Sequence, residues 1–283
     1  MNKRYPPYPA LPDEAPDIRL IALDLDDTLL TSARVISERT REAIQKARDQ
    51  GIIVTFATGR MLMSALPFAL ELGLDAPLIT YLGALVAMPD GRALSHMTID
   101  RQTCVDVIRY LKPFGQQINV YIGDAFYVER LTPQVITYRD NIKGKCVETP
   151  DLVKLMDAFP DGATKIGIMT EVERGKAIYA GLLENFSGKL SITPSKPTFI
   201  ELSRPDTGKG VALAAMAKDL GINPEQVMAI GDSPNDQDMI EYAGWGVVLA
   251  NGDEELKREA RWVSASNDED GAAIAIERLA LHI

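Results

Sequence analysis

The sequence predicts an α/β protein: a doubly wound, mostly parallel sheet into which an α+β domain is inserted. Three observations carry that expectation. Short apolar runs alternate with helix-period segments from Ile18 to Tyr81. The same alternation returns from Thr198 to Leu281. Between them, from about Leu85 to Pro194, lie short strand-like and helical stretches without that rhythm. Strands that alternate with helices are joined by right-handed crossovers, so helices cover both faces of the sheet, as in a Rossmann-like core.

Each element has a local reason. Ile18 to Leu23 is an apolar run ended by acids, the mark of a buried strand. Ser37 to Gln50 places Thr40, Ala43, Ile44 and Ala47 on one helical face and stops at Gly51. Ile52 to Phe56 is a second strand, Met61 to Leu72 a helix closed by Gly73, and Leu78 to Tyr81 a third strand. In the middle segment, Tyr121 to Arg130, Lys165 to Met169 and Leu190 to Thr193 read as strands. Helical stretches there lie near Asp100 to Lys112, Asp151 to Ala158 and Arg174 to Glu184. Thr198 to Leu202, Val227 to Ile230 and Trp245 to Leu249 are the later strands. Helices are expected over Lys209 to Leu220, Asp236 to Tyr242, Glu254 to Ala260 and Ala272 to Leu281. The expected division is a Pro-rich leader over 1–17, a core over 18–84 and 195–283, and an insertion over 85–194.

Composition excludes several chemistries. The chain has 283 residues, with 30 Lys or Arg against 40 Asp or Glu, a net charge of −10. That balance disfavours nucleic acid and anionic membranes as partners, because their phosphates would be repelled. No apolar run approaches the roughly 18 residues of a membrane span, and the leader lacks a signal peptide's apolar stretch. Two cysteines, Cys104 and Cys146, and two histidines, His96 and His282, show no zinc-site or redox-motif spacing. Isolated cysteines fit a reducing, cytoplasmic location. No partner protein is indicated. With histidine this scarce, catalysis falls to carboxylates and a bound cation.

Ligands of a parallel α/β sheet sit beyond the carboxyl ends of its strands. Four polar segments stand at such strand ends or at helix starts. The first is Asp24-Leu25-Asp26-Asp27-Thr28, whose close carboxylates repel one another unless a cation holds them. An oxygen-ligated hard cation, Mg²⁺, suits them; taken alone, the segment also reads as a capped turn. The second, Thr58-Gly59-Arg60, offers a hydroxyl and free backbone N–H groups at a helix start, where an anion binds or a helix is simply capped. In the third, Thr207-Gly208-Lys209-Gly210, a nucleotide P-loop is excluded by Ser203 and Gly210, which stand where that loop needs Gly and Ser or Thr. What remains is a lysine at a helix start, where its charge opposes the helix dipole. Its plain alternative is a solvated lysine beside a turn. The fourth, Gly231-Asp232-Ser233-Pro234-Asn235-Asp236, adds acids and an amide, or else forms a Pro-containing turn. Taken in order, acid-x-acid, Thr, Lys and a second acid cluster form an inventory for moving a phosphoryl group.

On these four motifs the chain resembles the haloacid dehalogenase-like hydrolase superfamily, in its Cof-type phosphatase branch, from about Arg19 to Leu281. Ser266-Asn267-Asp268-Glu269-Asp270-Gly271 also resembles that branch, and the large insertion resembles its cap domain. The resemblance implies roles. Asp24 is expected as the nucleophile that forms an aspartyl-phosphate, and Asp26 as the acid/base. Leu25 (through its N–H), Thr58, Gly59, Lys209 and Asn235 are expected to bind phosphoryl oxygens. Mg²⁺ is expected on Asp24, the Asp26 backbone carbonyl and Asp232. Asp236 is expected behind these groups or orienting Lys209, and Arg60 near the substrate phosphate. Three positions depart from the branch. Leu82 stands where Asn-Gly-Ala is usual, Asp27 where Gly is usual, and Ala250-Asn251-Gly252 where Gly-Asn-Ala is usual.

The expected activity is Mg²⁺-dependent hydrolysis of a small phosphorylated metabolite, either a sugar phosphate or a phosphate-bearing cofactor such as FMN or pyridoxal phosphate. A phosphomutase would use the same aspartyl-phosphate and pass it to a sugar hydroxyl. A receiver-like domain would need neither Asp26 nor so large an insertion, and the complete acid set argues against a non-catalytic phosphate-binding protein. Ser195, Lys196 and Pro197 are candidate hinge or contact residues at the return from the insertion.

Overall fold

A computed structural model describes residues 15–283. Most of the Pro-rich leader therefore lies outside the described residues. The chain forms two compact units. One holds the described residues up to Thr58, with Phe68–Ile79 and Gly208–Ile283; the other holds Gly59–Pro67 and Thr80–Thr207.

The first unit is built on a five-stranded sheet. Its strands run in the order Trp262–Ser264, Trp245–Leu249, Val227–Gly231, Leu20–Leu23 and Ile53–Phe56, and every pairing is parallel. A parallel bridge from Ala57 to Ile79 extends it. Leu20–Leu23, Val227–Gly231 and Trp245–Leu249 are buried throughout, because helices cover both faces, so these strands read as apolar runs instead of alternating. Leu20–Leu23 lies between a strand that follows it in the chain and one far downstream. The strand order reverses there, and the crevice at such a reversal is where α/β sheets place their ligands.

Local chemistry sets the element ends. Ser37 caps the helix Glu38–Asp49 by accepting from the Thr40 N–H, and Thr40, Ala43, Ile44 and Ala47 are its buried stripe. The helix Lys209–Asp219 packs closely on Gln237–Tyr242. A Cβ on Gly210 would run into the Asp238 backbone, which explains glycine at this position.

The second unit carries a six-stranded mixed sheet in the order Ser191–Lys196, Phe199–Ser203, Lys165–Met169, Gln117–Ile122, Ala125–Val128 and Lys145–Glu148. One face packs against the helices Arg101–Leu111 and Val172–Phe186 through Val107, Ile108, Leu111, Ile118, Ile166 and Leu182. A second cluster joins Tyr121, Phe126 and Val128 of the sheet to Val135 and Tyr138 of the helix Pro133–Ile142.

The structure differs from the sequence reading in several details. The expected strand Tyr121 to Arg130 is two antiparallel strands, Gln117–Ile122 and Ala125–Val128, with Gly123 in the left-handed region between them. The helix Pro133–Ile142 was not expected; Val135 is its one buried residue, so it has almost no apolar stripe to read. Phe199–Ser203 pairs antiparallel with both Ser191–Lys196 and Lys165–Met169. The return expected at Ser195 thus falls inside a hairpin: Ser195 lies in the strand Ser191–Lys196, and Pro197 in the turn that follows it. The chain re-enters the first unit at Gly208.

Candidate active site

Backbone hydrogen bonds bring three loops to one end of the parallel sheet. The Asp24 N–H donates to Ile230 C=O at 3.0 Å, the Ala57 N–H to Leu23 C=O at 2.9 Å, and the Thr58 N–H to Ile79 C=O at 2.9 Å. Asp24, Thr58 and Asp232 therefore begin the loops that leave three neighbouring strand ends.

Asp24 is buried, and one carboxylate oxygen accepts from Lys209 Nζ at 2.7 Å. The same ammonium donates to Asp236 Oδ1 at 2.6 Å. Lys209 is 1% exposed, at the first residue of its helix. A lysine is poorly placed at a helix N-terminus unless carboxylates meet it, and here two do. Asp236 is fully committed. Its second oxygen accepts from the backbone N–H groups of Asp232 and Ser233, both at 3.0 Å, which ties the acid-rich loop into one turn. Glycine is needed at position 231 because a Cβ there would strike the Asp236 side chain.

Carboxylate oxygens of Asp24, Asp232 and Asp236 all lie within 4.8 Å of one another. Burial raises the Asp24 carboxyl well above its ordinary value; Lys209 opposes the rise, and Asp236 and Asp232 add to it. Asp232 is pushed up to about 7 by burial and by Asp236, against a hydrogen bond from Thr28 Oγ1 at 2.5 Å. For Lys209, burial pulls the ammonium down, but Asp236 and Asp24 more than offset it and hold it above its ordinary value. Three acids thus share one ammonium. They are short of positive charge, which a divalent cation would supply.

The other expected residues sit as follows. Leu25 is buried, and its carbonyl accepts from the Leu30 N–H at 2.8 Å, closing the loop after the first strand. Asp26 is half-buried in that loop, and its carboxylate is not part of the three-acid group. Thr58 is buried in the first unit, whereas Gly59 and Arg60 belong to the second. The Asn235 side-chain oxygen accepts from Ser233 Oγ at 3.1 Å. Arg60 is buried and donates to the Ser64 carbonyl at 3.5 Å.

Several supporting residues escaped the sequence reading. Thr28, the last residue of the Asp24 segment, holds Asp232. Asp238 accepts from the Gly210 N–H at 2.8 Å and fixes the start of the lysine helix. Asn251 Nδ2 donates to the Asp27 carbonyl at 2.7 Å, and Asn267 Nδ2 to the Leu30 carbonyl at 3.0 Å. The Ser32 N–H donates to Asp268 at 2.8 Å. These last three brace the Asp24 loop from sequence-distant segments, which gives Asn251 and the 266–271 stretch a physical role. Asp27 has φ 61°, the left-handed region, where glycine is the usual choice and Asp is tolerated.

Comparison with known proteins agrees with this geometry. The family model for haloacid dehalogenase-like hydrolases matches residues 21–276. Phosphatase YwpJ of Bacillus subtilis is 30% identical over 285 residues, covering 93% of this chain and 100% of that one. The 5-amino-6-(5-phospho-D-ribitylamino)uracil phosphatase YwtE of the same organism is 32% identical over 294 residues, covering 93% and 98%. A haloacid dehalogenase-like hydrolase from B. subtilis superposes with a TM-score of 0.85 at 29% identity, over 93% of this chain and 100% of that one. One from Bacteroides thetaiotaomicron gives 0.82 at 29%, over 92% and 99%. The parallel sheet, the acid–lysine cluster at its strand ends and these matches place the chain in the haloacid dehalogenase-like hydrolase family, as a phosphatase of the Cof type.

Proposed function

We propose that the chain is a Mg²⁺-dependent phosphatase of small phosphorylated metabolites, working through an aspartyl-phosphate on Asp24. One observation carries this reading. A buried carboxylate at a strand end is held by Lys209 at 2.7 Å, with two further carboxylates within 4.8 Å.

The steps follow from the side chains. An Asp24 oxygen attacks phosphorus, and the bond to the leaving oxygen breaks. Asp26 gives that oxygen its proton. Asp26, now a carboxylate, takes a proton from water, whose oxygen attacks the aspartyl-phosphate and releases Asp24. Lys209, Thr58, Gly59, Asn235 and the Leu25 N–H hold the phosphoryl oxygens, with Arg60 nearby. Asp236 holds Lys209.

The donor set fits a hard divalent cation, being all oxygen and in excess of negative charge. Asp24, the Asp26 carbonyl and Asp232 would hold it, since both Asp236 oxygens are already taken. When bound, the cation would neutralise part of the charge on the phosphoryl group.

Three relatives are named for a phosphorylated ribitylamino-uracil. A ribityl phosphate is therefore the first metabolite to test within the sugar-phosphate and cofactor classes. No nucleic acid or protein partner is part of this reading, and a cytoplasmic location is. Among the described residues, no helix is long and apolar enough to cross a membrane.

The test is phosphate release from an aryl phosphate and from the ribityl phosphate, with Mg²⁺ or with chelator, for the parent and Asp24→Asn. Release that needs Mg²⁺ and disappears in Asp24→Asn supports the reading. Release that survives the substitution removes Asp24 as nucleophile. A folded parent inert on both substrates overturns the choice of substrate class.

A further inference from the structure

The second unit buries a lysine for which neither the phosphatase reading nor its motifs have a use. Lys165 lies in the strand Lys165–Met169 and is 2% exposed. Its ammonium donates to the Gly59 carbonyl at 2.6 Å and to Glu201 Oε1 at 2.5 Å. It also lies over the Tyr121 ring, 4.7 Å from the centroid. Tyr121 is fixed in turn by a hydrogen bond between its hydroxyl and that of Tyr138 at 2.7 Å.

These contacts decide what Lys165 can do. An ammonium has three protons. Two are committed to oxygens, and the remaining side is covered by an aromatic face, which itself favours a cation. No donor is left for a substrate, so Lys165 is not a binding group. Taking a lysine and a glutamate out of water is unfavourable, and a methionine would fill the same space without that penalty. The charge is therefore tied to something that an apolar side chain cannot do, which is to hold a backbone carbonyl.

That carbonyl belongs to Gly59, the residue after Thr58 in the phosphate motif. Gly59 is gripped twice. Lys165 takes its carbonyl, and Leu82 and Glu201 fill the space where a side chain would stand. A Cβ at position 59 would lie 3.3 Å from Leu82 Cδ2 and 3.4 Å from Glu201 Oε2. Leu82 presses from a left-handed conformation, φ 57°, which a leucine adopts only under constraint from its surroundings. The Gly59 N–H belongs to the preceding peptide, and that stretch is anchored on both sides: the Thr58 N–H donates to the Ile79 carbonyl at 2.9 Å and the Gly59 carbonyl accepts from Lys165.

We propose that Lys165, paired with Glu201, is a positioning residue of the phosphate loop: it locks the Gly59 peptide so that the Gly59 N–H and the neighbouring Thr58 meet the phosphoryl oxygens without rearrangement. This rests on the phosphatase reading above. It assigns a catalytic consequence to residues that lie outside every motif of the chain.

The test compares the parent with Lys165→Met/Glu201→Gln, a neutral pair of similar volume, and with Lys165→Arg, which keeps the charge against Glu201 but displaces the donor. The readouts are kcat and KM for an aryl phosphate, the Ki of inorganic phosphate and the melting temperature. Both variants are expected to fold, with KM and phosphate Ki raised roughly 10- to 100-fold, the scale of a misplaced binding group. A purely structural pair would lower the melting temperature and leave the phosphate Ki within about two-fold of the parent, and that result overturns the proposal. Should the double variant not fold, Lys165→Arg decides: a parental Ki with a parental melt overturns it equally. Failure of the underlying reading looks different. The parent itself would then neither release nor bind phosphate, and Asp24→Asn would change nothing.

Discussion

Two buried lysines, one in each unit, show how the same residue serves different ends. Lys209 faces the carboxylates of Asp24 and Asp236, with Asp232 a third acid within 4.8 Å. Lys165 faces one carboxylate, a carbonyl and an aromatic ring. The first cluster is left with net negative charge, and the second is balanced. A balanced cluster can only hold its neighbours still. A cluster short of positive charge is held in a state that a cation and a phosphoryl group can relieve. The difference in charge count separates the site that reacts from the site that positions.

The largest effect expected from breaking that contrast is in activity. Asp24→Asn should lower kcat by at least about 10³-fold, because an amide oxygen is a poor nucleophile. The melting temperature in chelator at pH 8 should not fall, since one buried charge of the excess is gone while Lys209 keeps Asp236. A clear loss of stability in Asp24→Asn would mean that the acids are structural first.

The next effect is in stability, and it should divide the two lysines. Removing one partner of a buried ion pair typically costs about 3–5 kcal/mol. Lys209→Met and Lys165→Met should both approach that cost in denaturant titrations. Adding Glu201→Gln to Lys165→Met should recover most of it, because no charge is then left without a partner. Adding Asp236→Asn to Lys209→Met should recover only part, since Asp24 and Asp232 remain. Equal recovery in the two pairs would dissolve the contrast.

A smaller effect links cation to pH. Asp232, pushed up to about 7, and Asp24, also raised, retain protons in the folded state that the unfolded chain has already lost above its ordinary carboxylate range. The folded state then binds more protons, so stability in chelator falls as pH rises from the ordinary carboxylate range toward 7, where Asp232 gives up its proton. A divalent cation favours the carboxylates. The rise in melting temperature on adding Mg²⁺ should therefore be larger at pH 8 than at pH 5.5. A rise independent of pH would show that the cation does not sit among these acids.

Much of this was legible in the sequence because parallel strands announce themselves. Leu20–Leu23 and Val227–Gly231 are apolar without interruption and end in acids, and a chemistry-bearing residue at a strand end is a local signal. Lys209 was legible for a similar reason: a lysine at a helix start contradicts the helix dipole and asks for a partner. Lys165 gave no such signal. It stands inside an ordinary strand pattern, and its partners Gly59 and Glu201 are brought to it by the antiparallel pairing of Phe199–Ser203 with Lys165–Met169 and by the path of a loop. The helix Pro133–Ile142 was hidden because it buries only Val135. The braces Asn251 and Asn267 reach backbone carbonyls more than two hundred positions away, and no spacing rule anticipates contacts set by tertiary folding.

The smallest effect tests the charge count most directly. Asp27 is exposed, in the left-handed region, and its carboxylate contributes to raising Asp232. Asp27→Asn removes that charge while keeping a side chain that tolerates the same backbone conformation. The Asn251 brace reaches the residue 27 carbonyl, which the substitution leaves in place. The pH at which Mg²⁺ stabilisation is half-developed should move down, by something on the order of a few tenths of a unit for an exposed charge screened by solvent. The same substitution should leave the melting of the balanced pair's variants unchanged. The sign matters more than the size. An upward shift would mean that Asp27 helps to hold the cation instead of crowding Asp232, and the excess charge would then have to be counted over four acids instead of three.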